Sequence, residues 1–493
     1  MWPIEISKVW EVLAYDPRQP MIFSSGVFLF LFLGFSGVYC LLRRKDTARL
    51  LFVTAFSYYF YYKSSGWYFF LLMAVTVSDF FIALRLERTV GALRRKAWVL
   101  LSLCINLGLL CYFKYTNLFY QWLCPLWGGT FRPLDIFLPV GISFFTFQSL
   151  SYTLDVYRRQ LTPLRRLLDY AFYVSFFPQL VAGPIVRARD FLPQIRRPLC
   201  VTPDMFGRGV FFLMSGLLKK AVISDYISVN FVERVFDNPA LYSGVENLLG
   251  VYGYALQIYC DFSGYSDMAI GIALLLGFQF PDNFRSPYQS ASVTEFWRRW
   301  HISLSSWLRD YLYISLGGNR KGKFRTYLNL ILTMLLGGLW HGASLNFVVW
   351  GGLHGLALAA HKALRNRLHR SKDYRSTGWR RVGGVLLTFH FVCLCWIFFR
   401  NSTFESSLIM LRQMATAFHP ELLGQLMAGY WPVFALMAVG YLLHACPDRW
   451  QETGTRIVAR CPLPVQALLV VLVIYAVIQV KSSDIQPFIY FQF

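Results

Sequence analysis

What most constrains this chain is a succession of apolar runs separated by short basic loops. The runs lie near 21–42, 47–62, 67–84, 97–120, 136–156, 168–183, 206–224, 245–260, 264–280, 324–340, 343–363, 382–399, 429–446 and 463–480. A helical membrane crossing needs about 20 apolar residues, so such a series leaves little chain for a soluble domain. Composition agrees: 56% of the 493 residues are hydrophobic and only 15% charged, against about 25% charged in soluble domains. A soluble enzyme, a disordered chain and a coiled coil are all excluded. The expected fold is all-α and polytopic, with about 11–14 membrane helices, and 1–493 reads as a single membrane-embedded domain.

The net charge is +22, a balance that in a soluble protein would suggest nucleic acid. Here the cations sit between the apolar runs, at Arg43–Lys45, at Arg85–Lys96 and over Arg365–Arg381. The positive-inside rule places these loops in the cytoplasm. The charge therefore reads as topology and attraction to anionic lipid, with no nucleic-acid partner. Loops 157–166 and 187–197 want the same side, and the N-terminus is then outside. Both flanks of 168–183 are basic, which fits a re-entrant hairpin or half-helices better than one crossing. Non-helical backbone at that depth is tolerated only inside protein or along a cavity.

The ten cysteines show no Cys-x-x-Cys and no ligand spacing with histidine, so they read as small core residues and no metal site is expected. Met1–Pro20 lacks the basic and apolar regions of a cleavable signal, so the first span near Met21 is expected to target the chain.

The stretch 292–318 differs in kind. Trp297, Trp300 and Trp307 alternate with Arg298, Arg299, Arg309 and Asp310, too charged for a span and too aromatic for an ordinary loop. It reads as an amphipathic helix at the cytoplasmic interface.

Two of the eight histidines follow tryptophan, in Trp300-His301 and Trp340-His341. His341 closes an apolar run beside Gly337, Gly338 and Gly342, where backbone can approach closely. An ionisable residue at such depth is a functional-site hypothesis, and a neutral imidazole is suited to take a proton from a hydroxyl. His354, His390 and His444 read instead as hydrogen-bonded helix residues, and His361, His369 and His419 as surface groups. Asp261 and Asp267 invite a role in orienting an imidazole, although pairing with Arg285, Arg298 or Arg299 is the commoner use of such carboxylates. Lys219 and Lys220 read as snorkelling to the headgroups before they read as phosphate ligands. Ser143, Thr146 and Gln148 read as interhelical hydrogen-bonding groups.

The segments VGISFFTFQSLSYTLDVYRR (140–159), FFPQLVAGPIVRARDFLPQI (176–195), YCDFSGYSDMAIGIALLLGFQFPDNFRSPYQS (259–290), EFWRRWHISLSSWLRDYLYISLGGNR (295–320) and GGLWHGASLNFVVWGGLHG (337–355) together resemble the membrane-bound O-acyltransferase family. Within it they are similar to the bacterial branch of alginate O-acetylation and teichoic acid D-alanylation. The strongest motifs fall within 136–363. The resemblance implies many helices, some re-entrant or half-length, around a central tunnel or funnel through which an acyl group reaches an extracytoplasmic acceptor. The family's principal catalytic histidine, in Trp-His-Gly, falls on His341. Its second, in Trp-His-x-Ser-Leu-Ser, falls on His301. His341 would act as base toward the acyl-accepting hydroxyl, and His301 would orient the donor or stabilise charge on its carbonyl. Trp300, Trp340, Arg298, Arg299, Asp261 and Asp267 are the expected substrate-binding residues, with Arg298, Arg299 and Arg309 at the rim where an anionic donor docks.

The C-terminal motif PFIYFQF (487–493) reads from composition as an aromatic belt anchor. It is also similar to a C-terminal motif of this branch in which a tyrosine accepts the acyl group, which here is Tyr490. A phenol, with pKa near 10, leaves readily and keeps its ester reactive for a second transfer.

The combined expectation is a multi-pass O-acyltransferase of the bacterial inner membrane. It would take an acyl group, acetyl foremost, from an acyl-CoA or another cytoplasmic thioester, with no permanently bound cofactor, and pass it toward an exported polysaccharide or envelope glycan. No Gly-x-Ser-x-Gly elbow is present, so an extracytoplasmic esterase-like partner would complete the transfer. The rivals are a secondary transporter, since broken helices and midplane polar groups also suit one, and an acyltransferase using a long-chain donor on lipid or protein.

Overall fold

A computed structural model describes residues 6–369, 371 and 376–480. Among them there are helices and no strands. The described chain forms two compact units, one from the residues up to Leu213 with Tyr265–Pro281, the other from Met214–Gly264 with residues 282–480.

The first unit holds α1 (Ile6–Leu13), α2 (Gly26–Leu41), α3 (Asp46–Ser65), α4 (Phe69–Arg88), α5 (Ala92–Leu123), α6 (Ile142–Tyr157), α7 (Leu167–Ser175), α8 (Phe177–Leu180), α9 (Ala188–Ile195) and most of α10 (Pro203–Leu217). Helix α2 starts where the Ser25 hydroxyl accepts the Phe28 N–H at 3.2 Å, satisfying one of the open donors of a helix start. Its core is aromatic: Phe177 packs against Phe35 and Phe56 with ring centroids 5.6 and 5.1 Å away.

Residues 168–183 are broken, as the basic flanks implied. Between α7 and α8 the chain turns at Phe176, and the freed Phe177 N–H donates to the Ser57 hydroxyl at 3.1 Å. Every residue from Phe172 to Val186 is buried, so the irregular backbone is sealed in protein. Gly141, at φ +74°, lets the chain pass here, because a Cβ would lie 2.5 Å from the Leu180 carbonyl oxygen.

Asp79 of α4 joins three helices, accepting from Ser102 and Asn106 of α5 at 2.5 and 2.7 Å and from Thr153 of α6 at 3.4 Å. The interhelical role expected of Thr146 and Gln148 is not found. Among the described residues no protein group hydrogen-bonds the Thr146 hydroxyl or the Gln148 side-chain amide. That role on α6 falls one to two turns later, to Thr153.

The second unit begins with the end of α10, which loosens into a π-helical stretch at Leu218–Ser224. α11 (Asp225–Ile227), a second π stretch at Ser228–Val232 and α12 (Glu233–Asp237) follow. The runs 245–260 and 264–280 were expected as separate spans. They are one 32-residue helix, α13 (Gly244–Leu275), whose residues to Gly264 belong to this unit. Gly264 does not break it. A Cβ there would lie 2.8 Å from the Gly216 carbonyl oxygen, so this glycine permits helix approach.

The stretch 292–318 is likewise corrected from one amphipathic helix to several pieces. α14 (Val293–Arg299), capped by the Ser292 hydroxyl on the Glu295 N–H, stops before His301, whose φ is +42°. α15 (Ile302–Trp307) and a π stretch at Leu308–Tyr313 follow. The left-handed residue is held because the Ile302 N–H donates to the Asn283 carbonyl at 2.9 Å.

α16 (Gly322–His341) and α17 (Leu345–Arg367) pack backbone to backbone. A Cβ on Gly338 would meet the Phe347 carbonyl oxygen at 2.2 Å, and one on Gly351 the Met334 carbonyl oxygen at 2.4 Å. Beyond them come α18 (Gly378–Arg400), α19 (Phe404–Thr416), α20 (Leu423–Gly429), α21 (Trp431–Ala445), α22 (Asp448–Arg460) and α23 (Leu463–Val480).

Among the described residues, four segments are long and apolar enough to cross a membrane: Asp46–Arg88, Ala92–Trp127, Gly378–Arg400 and Leu463–Val480. The pair Pro420–Gly429 and Trp431–Ala445 qualifies together but bends by 95°. α6, with 16 residues, is too short to qualify by itself, and its polar side chains are buried inside protein. The protein is a multi-pass, all-α membrane protein.

Candidate active site

His341 is the last residue of α16 and is 5% exposed. Its ring sits in an aromatic box, with centroid distances of 4.7 Å to Trp340, 5.1 Å to Trp350 and 5.1 Å to Phe399. Gly342 makes the box possible, since a Cβ there would lie 2.2 Å from the Phe347 ring. The α16–α17 seam therefore fixes the backbone on either side of the histidine.

His301 is fully buried. Its Nδ1 lies 3.1 Å from Asn283 Oδ1, and Phe262 meets the ring edge-on at 4.6 Å. The same Asn283 oxygen accepts from the Ser303 backbone N–H at 3.3 Å and from its hydroxyl at 2.8 Å. An N–H can only donate, so this end of the amide is the oxygen, and it takes its third bond from a protonated His301 Nδ1. Nε2 is then the basic nitrogen of the ring. His301 lies outside the candidate spans, and burial pushes its pKa down to about 3, which keeps the imidazole neutral near pH 7.

The two histidines belong to one aromatic wall of the second unit. From His341 it runs through Phe399 to Trp396 at 5.2 Å, on to Trp300 at 5.1 Å, and through Phe284 at 5.1 Å to the His301 ring at 6.3 Å. Trp300 (2% exposed) and Trp340 (7%) are packing residues of that wall. Arg298 is exposed. Arg299 pairs with Glu295 at 2.9 Å and donates to the Arg285 carbonyl at 3.3 Å, and Arg309 pairs with Asp310 at 2.6 Å. Asp267 is buried in the other unit, and Tyr490 lies outside the described residues.

Asp261 corrects two expectations. Its partner is Lys220 at 2.5 Å, not an arginine, and Lys220 also meets Asp225 at 2.7 Å. Lys220 is 2% exposed, so it does not snorkel. The π stretch at Leu218–Ser224 carries it inward, and π turns often mark functional sites. Lys219 places its ammonium 5.9 Å from the Tyr259 ring centre.

Three histidines behave as the hydrogen-bonded helix residues expected. His354 accepts from the Trp297 indole at 3.2 Å, His444 accepts the Tyr288 N–H at 3.0 Å, and His390 meets the Tyr252 hydroxyl at 2.9 Å. His361 is partly buried against the Thr294 hydroxyl at 2.8 Å, not a free surface group. Among the described residues no three His, Cys, Asp or Glu side chains gather in a way that could hold a metal ion.

Sequence reasoning missed Asn283 and the inward turn of Lys220. The only signal for Asn283 was its place in a Pro-Asp-Asn loop after a long apolar run, which fixes a turn but not a partner. Phe399 and Trp396 were hidden inside an ordinary apolar run.

The profile of the membrane-bound O-acyltransferase family (MBOAT) matches residues 163–404, which include both histidines. The chain is 37% identical to the "Probable alginate O-acetylase AlgI" of Pseudomonas putida, over 96% of this chain and 100% of that protein. It is 37% identical to the "Peptidoglycan O-acetyltransferase" of Helicobacter pylori over 80% of each chain. With the "Teichoic acid D-alanyltransferase" of Bacillus subtilis it shares 29% identity over 55% of this chain and 71% of that one. With its helices, its histidine-bearing aromatic wall and these relatives in agreement, the chain belongs to the membrane-bound O-acyltransferase family and is an O-acyltransferase.

Proposed function

We propose that this enzyme takes an acetyl group from a cytoplasmic thioester, acyl-CoA or a carrier-bound equivalent, and delivers it across the bacterial inner membrane to hydroxyls of an exported polysaccharide or envelope glycan. The observation that carries this reading is the burial of two histidines in one aromatic wall, where a neutral imidazole can take a proton away from water. The relatives named above carry names that point to alginate, peptidoglycan and teichoic acid as acceptors. This supports the acceptor class.

In the proposed reaction the acceptor oxygen attacks the acyl carbon while His341 takes the hydroxyl proton. The C–S bond breaks, and the thiolate recovers a proton to leave as the free thiol. The tautomer fixed by Asn283 leaves His301 Nε2 as an acceptor, which corrects one expected role: it can orient the acyl donor by accepting from one of its N–H groups, but it has no N–H there with which to stabilise charge on the carbonyl oxygen. The exposed Arg298 is the cation best placed for an anionic donor, whereas Arg299 and Arg309 are held in ion pairs. Tyr490 is proposed as the intermediate acceptor: its phenol ester forms first, a glycan hydroxyl or an esterase-like partner attacks it, and the phenol is restored.

The test is transfer in sealed vesicles holding the full-length chain, with labelled acetyl thioester on one face and Tyr490 peptides read by mass spectrometry. Label on Tyr490 that chases into added glycan is the expected result. Unlabelled Tyr490 with full transfer removes the relay, and label confined to the donor face overturns transfer across the membrane. Expected transfer in Tyr490→Phe is below about 1% of wild type, the loss typical of removing a reacting group.

A further inference from the structure

The turn between α4 and α5, in the first unit, borders an open hollow of about 550 Å³ whose lining includes Arg88, Thr89, Val90, Gly91, Arg94 and Trp98. That volume lies within the range of about 300–1,000 Å³ usual for small-molecule sites. Both arginines are exposed, and among the described residues neither is held in an ion pair. The nearest carboxylate in sequence, Glu87, is taken by Arg165 at 2.7 Å.

The hollow is built, not frayed. Arg95, buried beneath it, donates to the Leu86 carbonyl at 3.0 Å and to the Tyr157 carbonyl at 2.7 Å. The Thr89 hydroxyl closes the end of α4 by donating to the Arg85 carbonyl at 2.6 Å. The 32-residue helix α5 starts at this point with no side-chain cap, so its first N–H groups lack the partner that a capping side chain would supply.

Val90, at the rim of the hollow, and Leu93 beside it are 91% and 82% exposed. Two aliphatic side chains beside two cations and a tryptophan match a membrane interface, where the apolar pair is buried among acyl chains and the cations reach phosphate. A soluble phosphate compound has no acyl chain of its own to set against Val90 and Leu93, whereas a phospholipid has. The positive-inside rule sets this turn at the cytoplasmic leaflet, the anionic one.

We propose that this hollow holds the phosphate of an anionic phospholipid, gripped by Arg88, Arg94 and the start of α5, with Val90 and Leu93 set among its neighbouring acyl chains. It is separate from the acyl-transfer chemistry, and none of its residues was placed in that machinery.

The test is native mass spectrometry of the full-length protein in detergent, titrated with phosphatidylglycerol or phosphatidylcholine. Preferential retention of phosphatidylglycerol is expected, weakened about 30-fold in Arg88→Gln/Arg94→Gln, the effect of two interfacial cations. Arg88→Lys/Arg94→Lys should keep most of the binding. Val90→Ser/Leu93→Ser should weaken lipid retention and leave inorganic phosphate binding unchanged. Arg43→Gln/Arg44→Gln, an exposed basic pair elsewhere, is the control. Unchanged phosphatidylglycerol binding in the Arg88/Arg94 variant, an equal loss in the control, or displacement of the lipid by equimolar inorganic phosphate would each overturn the proposal.

Discussion

Acyl transfer by His341→Ala is expected to fall by about 1,000-fold or more, in the upper part of the range for losing a general base. The fall should appear in kcat, with KM for the donor little changed, because the imidazole acts on the hydroxyl proton and not on donor binding. Truncation also opens a space among Trp340, Trp350 and Phe399, so Ala alone confuses chemistry with packing. His341→Gln separates them: it fills the box with a polar group of similar size but cannot take the proton. Expected for Gln is near-wild-type thermal stability with activity as low as Ala. If Gln retains activity within about tenfold of wild type, His341 is not the base, since even a weak general base is worth about 100-fold.

The second large effect is on stability. Lys220→Met should destabilise the protein by about 3–5 kcal/mol, the cost of leaving buried charges without their counterion. The side chain of Asp261 is 2% exposed and that of Asp225 22%, so Asp261 carries most of the penalty. The double variant Lys220→Met/Asp261→Asn should recover much of the loss, giving a coupling energy that thermal unfolding in detergent can measure. An ammonium that snorkelled to the headgroups, or one that only met a donor phosphate, would give no coupling. Additive single losses would therefore remove the buried network. Phe262, next to Asp261, packs edge-on against His301, so acyl transfer should fall in the single variant and return in part in the double one.

The sequence carried the class of the fold plainly, because apolar run length and the position of cations are direct readings of membrane depth. It also carried the pieces at 168–183, where two basic flanks cannot both be cytoplasmic around one crossing. It failed where a glycine has two meanings. The gap left between the runs 245–260 and 264–280 is spanned by one helix in which Gly264 is a contact, and nothing in one chain distinguishes a residue that ends a helix from one that lets a second helix approach. The helix expected at 292–318 failed for another reason. The Trp-Arg pattern is amphipathic, yet the bonds to Asn283 force His301 into a left-handed conformation that no periodicity reports.

The histidines were visible through their tryptophan neighbours and motif resemblance, but their chemical state was not. The proton on His301 Nδ1 depends on a loop residue 18 positions away. Lys220 was hidden because a lysine at the end of an apolar run ordinarily reaches for water. A π-helical stretch shifts the angular register of the residues after it, and that shift turned the side chain inward.

The seam between α16 and α17 bears on how genetic data for such an enzyme should be read. A search for inactive alleles would gather hits at Gly338, Gly342 and Gly351 as well as at His341, because a methyl group at any of them collides with atoms 2.2–2.4 Å away. Plotted along the chain, those alleles would cluster like a catalytic motif, although glycine has no side chain with which to react. Much of what a mutational map would score as chemistry in this region is clearance.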